Sequence, residues 1–316
     1  MNRKRAGTGI SLKTIKENSS SYIGILPFFV LFLLFTVIPL TTGLFRSFTD
    51  WSMSSRGKIN FVGLENYNYL ISGEGTTSTR FLKSMVNMAI YVPITVAIGL
   101  FMSLMLALVV NQFKGRIYRF FRSVYFVPTV LPVFLCVAIW KWFMTPSTGH
   151  VTSLLASMGI GVGVNWAETS GYAIANVIFI NVWNAVGFNF LIISAAMKDI
   201  SPDLYEAAEI DGASTFQKMK NITIPLLEPI LFFAIIYAFI KAIQVYDIPW
   251  ILSGYDDMNS VGGPNQVMLF PVMEMVRNVY SGGNFGLGRA CAMGVILMFI
   301  IMIITLIQFR FRKKRL

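Results

Sequence analysis

Apolar runs of about 20 residues or more recur along this chain, and no other feature restricts its fold as strongly. An α-helix needs about that many residues to cross a bilayer core. In lipid every backbone N–H and C=O must be satisfied within its own segment, so such runs are committed to helix. They cover Tyr22–Phe45, Met85–Val110, Ser123–Met144, Tyr172–Met197, Ile230–Leu252 and Gly288–Phe309. With 55% hydrophobic and 13% charged residues, the chain reads as an all-α polytopic membrane protein of six spans. Pro128 and Pro132 predict a kink in the third span. A cleaved signal peptide is the alternative for the first run. That run is too long for one, and no small-x-small cleavage site follows it.

Charge sets the orientation. Most of the 26 Lys and Arg fall in residues 1–21, 111–122, 198–229 and 310–316, while 145–171 contain none. Short basic segments stay on the cytoplasmic side. Six spans with both termini cytoplasmic satisfy that rule, giving a tail over 1–21, a six-helix domain over 22–309 and a basic tail over 310–316. The net charge of +11 therefore points to a membrane topology and not to nucleic acid. Two metal or nucleotide readings fail on residue types. His150 is the only histidine and Cys136 and Cys291 lie in apolar runs, so no His/Cys zinc site can be assembled. Gly7 followed by Leu12-Lys13-Thr14 lacks the second glycine and the preceding strand of a phosphate loop.

The segment between the fourth and fifth spans is too polar to enter the bilayer. Ser201-Pro202-Asp203 writes a helix start: a capping hydroxyl, proline at the first helical position and an acid at the positive end. Asp211-Gly212 then supplies a turn, since glycine adopts positive φ without a Cβ penalty. A second short helix is expected from about Ser214, ending before Pro225 and Pro229. The result is a helix–Gly–helix hairpin on the cytoplasmic surface, suited to be gripped by another protein.

Polar residues inside spans cost ~2.5–3.5 kcal/mol each when charged, so they need a reason. The fifth span carries Tyr237, Lys241 and Gln244 on one stripe, with Asp247 three residues on. The fourth carries Asn181 and Asn184 one turn apart, with Trp183 between and Asn189 nearby. Carboxamides beside aromatic faces suit neutral, hydroxyl-rich ligands. Each also has a structural alternative: Asn can bridge helices, Trp183 can pack, and Lys241 can pair with Asp247 or snorkel. Trp140 and Lys141 read as interfacial anchors.

The spacing Glu206-Ala207-Ala208, three residues, Gly212, nine residues, Ile222, one residue, Ile224-Pro225 resembles the coupling signature of binding-protein-dependent ABC import permeases. Ile224 stands where that family has leucine. A second likeness, to the first permease of sugar-importing pairs, lies in Ser47-Phe48-Thr49-Asp50-Trp51 and Phe61-Val62-Gly63-Leu64-Glu65-Asn66-Tyr67. Gln244-Val245-Tyr246-Asp247, Gly262-Gly263-Pro264 and Phe285-Gly286 through Ala290 and Ala292 continue it. Tyr255–Val261 looks like an insertion.

The resemblance implies a type I importer permease in a bacterial or archaeal cytoplasmic membrane, forming half of a path for a carbohydrate, an oligosaccharide in particular. It implies a second permease, two copies of an ATPase and a solute-binding protein as partners. ATP and Mg would bind the ATPase, leaving this chain no cofactor and no catalytic residue. Glu206, Ala207, Ala208, Asp211, Gly212, Ile222 and Pro225 would couple to that ATPase. A polyol or glycerol-phosphate importer is the near alternative, with Lys241 on phosphate. A secondary transporter is the distant one, disfavoured because Asp247 is the only acid within a predicted span.

Overall fold

In the computed structural model the apolar runs are helices, and the described residues are 19–313 apart from 55–57, 147, 162–163, 165–168, 255–260, 282 and 284. Residues 255–260 of the apparent insertion, most of the amino-terminal tail and residues 314–316 thus lie outside the described part. Helix α1 (Ser19–Phe32) passes through a π-helical turn at Leu33–Val37 into α2 (Ile38–Arg46). Its apolar side chains from Ile23 to Phe35 face outward, as a helix bathed in lipid requires. After α3 (Glu65–Ser72) come α4 (Gly75–Val110), α5 (Gly115–Val130), α6 (Val133–Phe143), α7 (His150–Ser157) and α8 (Ser170–Lys198). The chain continues with α9 (Pro202–Ile210), α10 (Thr215–Lys218), α11 (Ile224–Leu226), α12 (Glu228–Ile243), α13 (Asp247–Ser253), α14 (Pro271–Ser281) and α15 (Gly286–Lys313).

Five of these helical stretches are long and apolar enough to span a membrane: Ile23–Arg46, Gly75–Val110, Ser170–Lys198, Glu228–Ser253 and Gly286–Arg312. The third expected span is kinked where Pro128 and Pro132 predict it, and sharply. It is split into α5 and α6, which meet at 99°. Leu131, forced out of the α region by the proline after it, is extended at φ −67° and ψ 139°. The carbonyl of Pro128, beside this break, accepts from Asn184 Nδ2 at 2.7 Å.

The fifth span also breaks. Between α12 and α13, Tyr246 takes φ −144° and ψ −54°, and Asp247 opens a new helix there. A carboxylate in the first turn meets the positive end of the helix dipole, which makes an acid at this depth tolerable. The second span starts ten residues earlier than expected, at Gly75, because its polar first turns pack against α14 rather than lipid.

Of the three core clusters among the described residues, two bear on the sites. The larger joins Tyr91, Val92, Val177, Ile180, Ile243, Leu269 and Phe270, so α4, α8, α12 and the segment before α14 close on one another. The smaller, Ala107, Val110, Tyr118, Phe190, Ile193 and Leu227, lies on the hairpin side. Trp140, expected as an interfacial anchor, instead packs edge-on against Phe179 at 4.6 Å and Trp183 at 5.5 Å. An indole offers more buried contact to two rings than to an interface. Lys141 beside it remains exposed.

At the end of the bundle away from the hairpin, sequence segments far apart are locked together. Arg80 Nε donates to Glu274 at 3.0 Å and Arg80 Nη2 to the Val261 carbonyl at 2.9 Å. Arg277 Nε shares the same carboxylate at 3.0 Å, and Asn278 Nδ2 adds another bond to it at 3.0 Å. Glu274 and Asn278 are wholly buried. Next to this collar, Asn66 Nδ2 donates to the Ser47 and Thr49 carbonyls, and Ser47 meets Tyr67 at 2.6 Å. A Cβ on Gly288 would lie 2.2 Å from the Thr49 carbonyl, so only glycine lets α15 approach this loop. The motifs around 47–51, 61–67 and 285–292 are thus one three-dimensional knot.

Candidate functional sites: a cytoplasmic-type hairpin and an intramembrane cavity

The hairpin is built from local bonds. Ser201 Oγ accepts from the Asp203 amide at 3.3 Å, with Pro202 at the first helical position of α9. At the other end Gly212 takes φ +76°, its amide bonds the Glu209 carbonyl at 3.0 Å and the Ala213 amide bonds the Ala208 carbonyl at 2.8 Å. That pair of bonds is the Schellman ending, which requires a left-handed residue at this position. Ser214 and Gln217 form a reciprocal capping box that starts α10. Tyr205 and Thr223 join hydroxyls at 3.0 Å, and Lys218 pairs with Glu209, so the two arms are stapled together.

The second arm does not stop before Pro225. A π-helical turn, Met219–Thr223, leads into α11, whose Pro225 sits in a first turn, and Pro229 does the same in α12. Proline costs little there because the amide it lacks would be unpaired anyway. The arm therefore runs as bent helix directly into the membrane-spanning α12. Glu206, Ala207, Asp211, Gly212 and Pro225 are exposed, while Ala208 and Ile222 are half-buried. Sequence reasoning passed over the large apolar tips beside them: Ile210 is 87% exposed and Phe216 is 64% exposed. Apolar side chains this bare stand out on a polar hairpin.

Both roots of the hairpin are anchored. Tyr118 meets Ser194 at 3.0 Å, Ser194 Oγ donates to Asn111 Oδ1 at 2.9 Å, and Lys198 Nζ sits 3.7 Å from the Tyr118 ring centre. These contacts tie the end of α8 to α4 and α5. On the other side Leu227 is buried at the start of α12.

The second site is a cavity of about 390 Å³ between α4, the α5–α6 break, α8 and α12–α13. Asn181, Asn184, Asn189, Tyr237, Lys241, Gln244 and Asp247 all line it. Trp183, the eighth residue of that sequence-derived group, does not. Its ring packs on Trp140. Asn184 divides its roles: its side-chain Nδ2 donates to the Pro128 carbonyl, and its backbone carbonyl accepts from Thr129 Oγ1 at 2.8 Å. Asn189 is 4% exposed, and its Oδ1 has no hydrogen-bond partner among the described residues. A buried acceptor left open in this way favours a donor from whatever fills the cavity.

Lys241 and Asp247 form no ion pair, although both reach the cavity. The nearest aromatic partner of Lys241 is Tyr237, whose ring centre lies 5.9 Å from Nζ. Thr95, Val96, Gly99 and Leu100 of α4 complete the wall. They had no mark in the sequence, being small or apolar residues in an apolar run. At Gly187 a Cβ would fall 2.3 Å from the Tyr125 carbonyl, so glycine is what lets α8 press against α5 beside the cavity.

A spanning bundle with a two-armed surface hairpin and an intramembrane cavity can be compared with known proteins. Residues 98–315 match the family described as "Binding-protein-dependent transport system inner membrane component". The chain belongs to this family. Among its relatives, the probable ABC transporter permease YesP of Bacillus subtilis (strain 168) is 30% identical over 296 residues, 93% of this chain and 91% of that one. The trehalose/maltose transport system permease MalF of Thermococcus litoralis is 30% identical over 276 residues, covering 87% and 88%. The sn-glycerol-3-phosphate permease UgpA of Yersinia pestis bv. Antiqua is 31% identical over 260 residues, 81% of each chain. A bacterial ABC transporter involved in import of the acidic polysaccharide alginate has the same fold, with a TM-score of 0.76 at 20% identity over 96% of this permease and 98% of that chain. The permease fold therefore accounts for the six hydrophobic stretches, the bent third among them, and for a multi-pass membrane location.

Proposed function

We propose that this permease forms half of the path of an ATP-driven importer for a carbohydrate, in the cytoplasmic membrane of a bacterium or archaeon. A second permease chain, a pair of ATPase subunits and an extracytoplasmic solute-binding protein complete the machine, and ATP and Mg bind the ATPase alone. The observation that carries the reading is the convergence on one cavity of seven polar or aromatic residues from α8, α12 and α13. Amides, a phenol and aromatic faces at one place match a sugar's mixture of hydroxyl edges and C–H faces. The relative named as a trehalose/maltose transport system permease supports the same class.

The hairpin gives the drive. The ATPase grips Glu206–Pro225, including the bare tips Ile210 and Phe216, and its closure on ATP pulls on both anchored roots. Because α8 and α12 leave those roots and also wall the cavity, a rigid displacement of the hairpin shifts the equilibrium between inward- and outward-facing packings. This chain contributes position and leverage, and the partner contributes hydrolysis.

One observation favours a second reading. Lys241 presents an ammonium to the cavity with no described carboxylate paired to it, which would suit glycerol phosphate or another phosphorylated polyol, the cargo named for UgpA. Reconstitution of the tagged full chain with its co-purifying subunits separates the two. Uptake of a neutral saccharide that needs ATP and the binding protein, and that survives Lys241→Gln, supports the carbohydrate reading. Uptake confined to phosphorylated polyols and lost in Lys241→Gln supports the second. Uptake without ATP, or driven by an ion gradient, overturns both.

A further inference from the structure

Helix α5 begins on the hairpin side of the membrane and presents three distinct faces. Tyr118, Phe121 and Tyr125 turn inward: Tyr118 is bonded to Ser194, and the Tyr125 ring lies 6.0 Å from Phe190. Ile117, Phe120, Val124 and Val127 form a second, exposed stripe, between 46% and 64% accessible. Arg116, Arg119 and Arg122, at spacings of three, form the third, with Lys114 at its head. All four cations are exposed, and none pairs with a described carboxylate. The amino end of α5 also has no acid in its first turn and no side-chain cap, so its positive end is open.

We infer that the start of α5 is a binding site for the headgroups of anionic phospholipids in the leaflet on the hairpin side. An apolar stripe beside a cationic stripe on one helix is the pattern that sinks one face into acyl chains and holds the other at phosphate level. The charge complement is the deciding point: four unpaired cations and an open helix end meet a surface whose one abundant charge is negative. Because the inward face of this helix holds Ser194 through Tyr118, bound lipid steadies the root from which the coupling hairpin leaves α8. The site goes beyond the transport reading and does not depend on which solute is carried.

The test is native mass spectrometry and titration of the delipidated full chain in detergent with short-chain phosphatidylglycerol or phosphatidylcholine. Wild type should bind phosphatidylglycerol preferentially, in a salt-sensitive way, and inorganic phosphate at equal concentration should not displace it. The triple variant R116Q/R119Q/R122Q should weaken that binding about tenfold or more. R116K/R119K/R122K should keep most of it, and the control Lys58→Gln, at an exposed lysine on the opposite side, should be unchanged. Equal binding of the zwitterionic lipid, or undiminished phosphatidylglycerol binding by a folded triple variant, overturns the inference. So does a triple variant that keeps its lipid but loses a co-purifying ATPase, which would assign the cations to a protein partner.

Discussion

The hairpin and the outer collar are held by opposite means. Every bond that shapes the hairpin joins residues within 18 positions of each other: a cap, a Schellman ending, a capping box and the Tyr205–Thr223 staple. The collar depends on Arg80 and Glu274, 194 positions apart, and on Thr77 and Asn278, 201 apart. A locally closed unit keeps its shape while its surroundings repack. A unit closed by distant partners moves only if α4 and α14 move together. The difference suits a device in which a stiff handle on one side is pulled against a platform on the other.

Breaking the collar should cost the most. Glu274→Ala leaves two buried guanidiniums without the carboxylate they share, a change expected to cost ~3–5 kcal/mol. Loss of monodisperse protein in fluorescence-detected size exclusion, or a large fall in Tm, is the expected result. A variant as stable as wild type would show the collar to be held by its apolar neighbours instead, and the contrast with the hairpin would disappear.

Gly187→Ala probes the ground between the two regions. The added methyl would meet the Tyr125 carbonyl at 2.3 Å and Thr129 Oγ1 at 2.6 Å, forcing α5 and α8 apart beside the cavity. Overpacking of this kind costs ~1–3 kcal/mol. Reduced Tm together with reduced uptake is expected. Normal uptake would mean that the α5–α8 contact does not shape the path.

Gly212→Val sharpens the comparison from the hairpin side. Open space surrounds the position, so only its φ of +76° resists a side chain, at a cost of ~1–2 kcal/mol. The expected outcome is a membrane domain with wild-type Tm but impaired ATPase co-purification and ATP-driven uptake. A fall in Tm as large as that of Glu274→Ala would mean that the hairpin is not an independent unit.

The same contrast explains what could be read in advance. The hairpin's start, turn and capping residues are adjacent in the chain, so Ser201, Pro202 and Gly212 announce their roles by type and order alone. The polar stripe of α12 was legible because Lys241 and Gln244 stand out in an apolar run. Partners 40 or more positions away were not. Nothing local says that Asn184 would bond Pro128, that Trp183 would turn to Trp140, or that Arg80, a loop residue by hydropathy, would be drawn into a buried cluster. Pro132 kinked the third span as expected, to 99°, whereas Pro225 and Pro229, placed in first turns, did not end the helix expected to stop before them.

The smallest expected effect lies at the rim of the collar. Asp50 accepts from the Asn60 amide at 2.7 Å and from Asn60 Nδ2 at 2.8 Å, and these bonds hold its carboxyl below the usual value of 3.8. A depressed value means the charged form is favoured in the folded loop. The contribution is present above 3.8 and is lost as pH falls through the lowered value. Asp50 is only half-buried at this point, so the change should be confined to the loop closed by the Thr49–Phe61 bridge. Hydrogen exchange at the Asn60 amide should accelerate, relative to its neighbours, only in acid below the usual carboxylate range. Asp50→Asn should remove that pH dependence while leaving the buried Arg80–Glu274 pair intact. Were the whole collar to loosen in the same acid range, its rim and its ion cluster would be one cooperative unit, and the boundary between local and distant bonding would lie inside the collar itself.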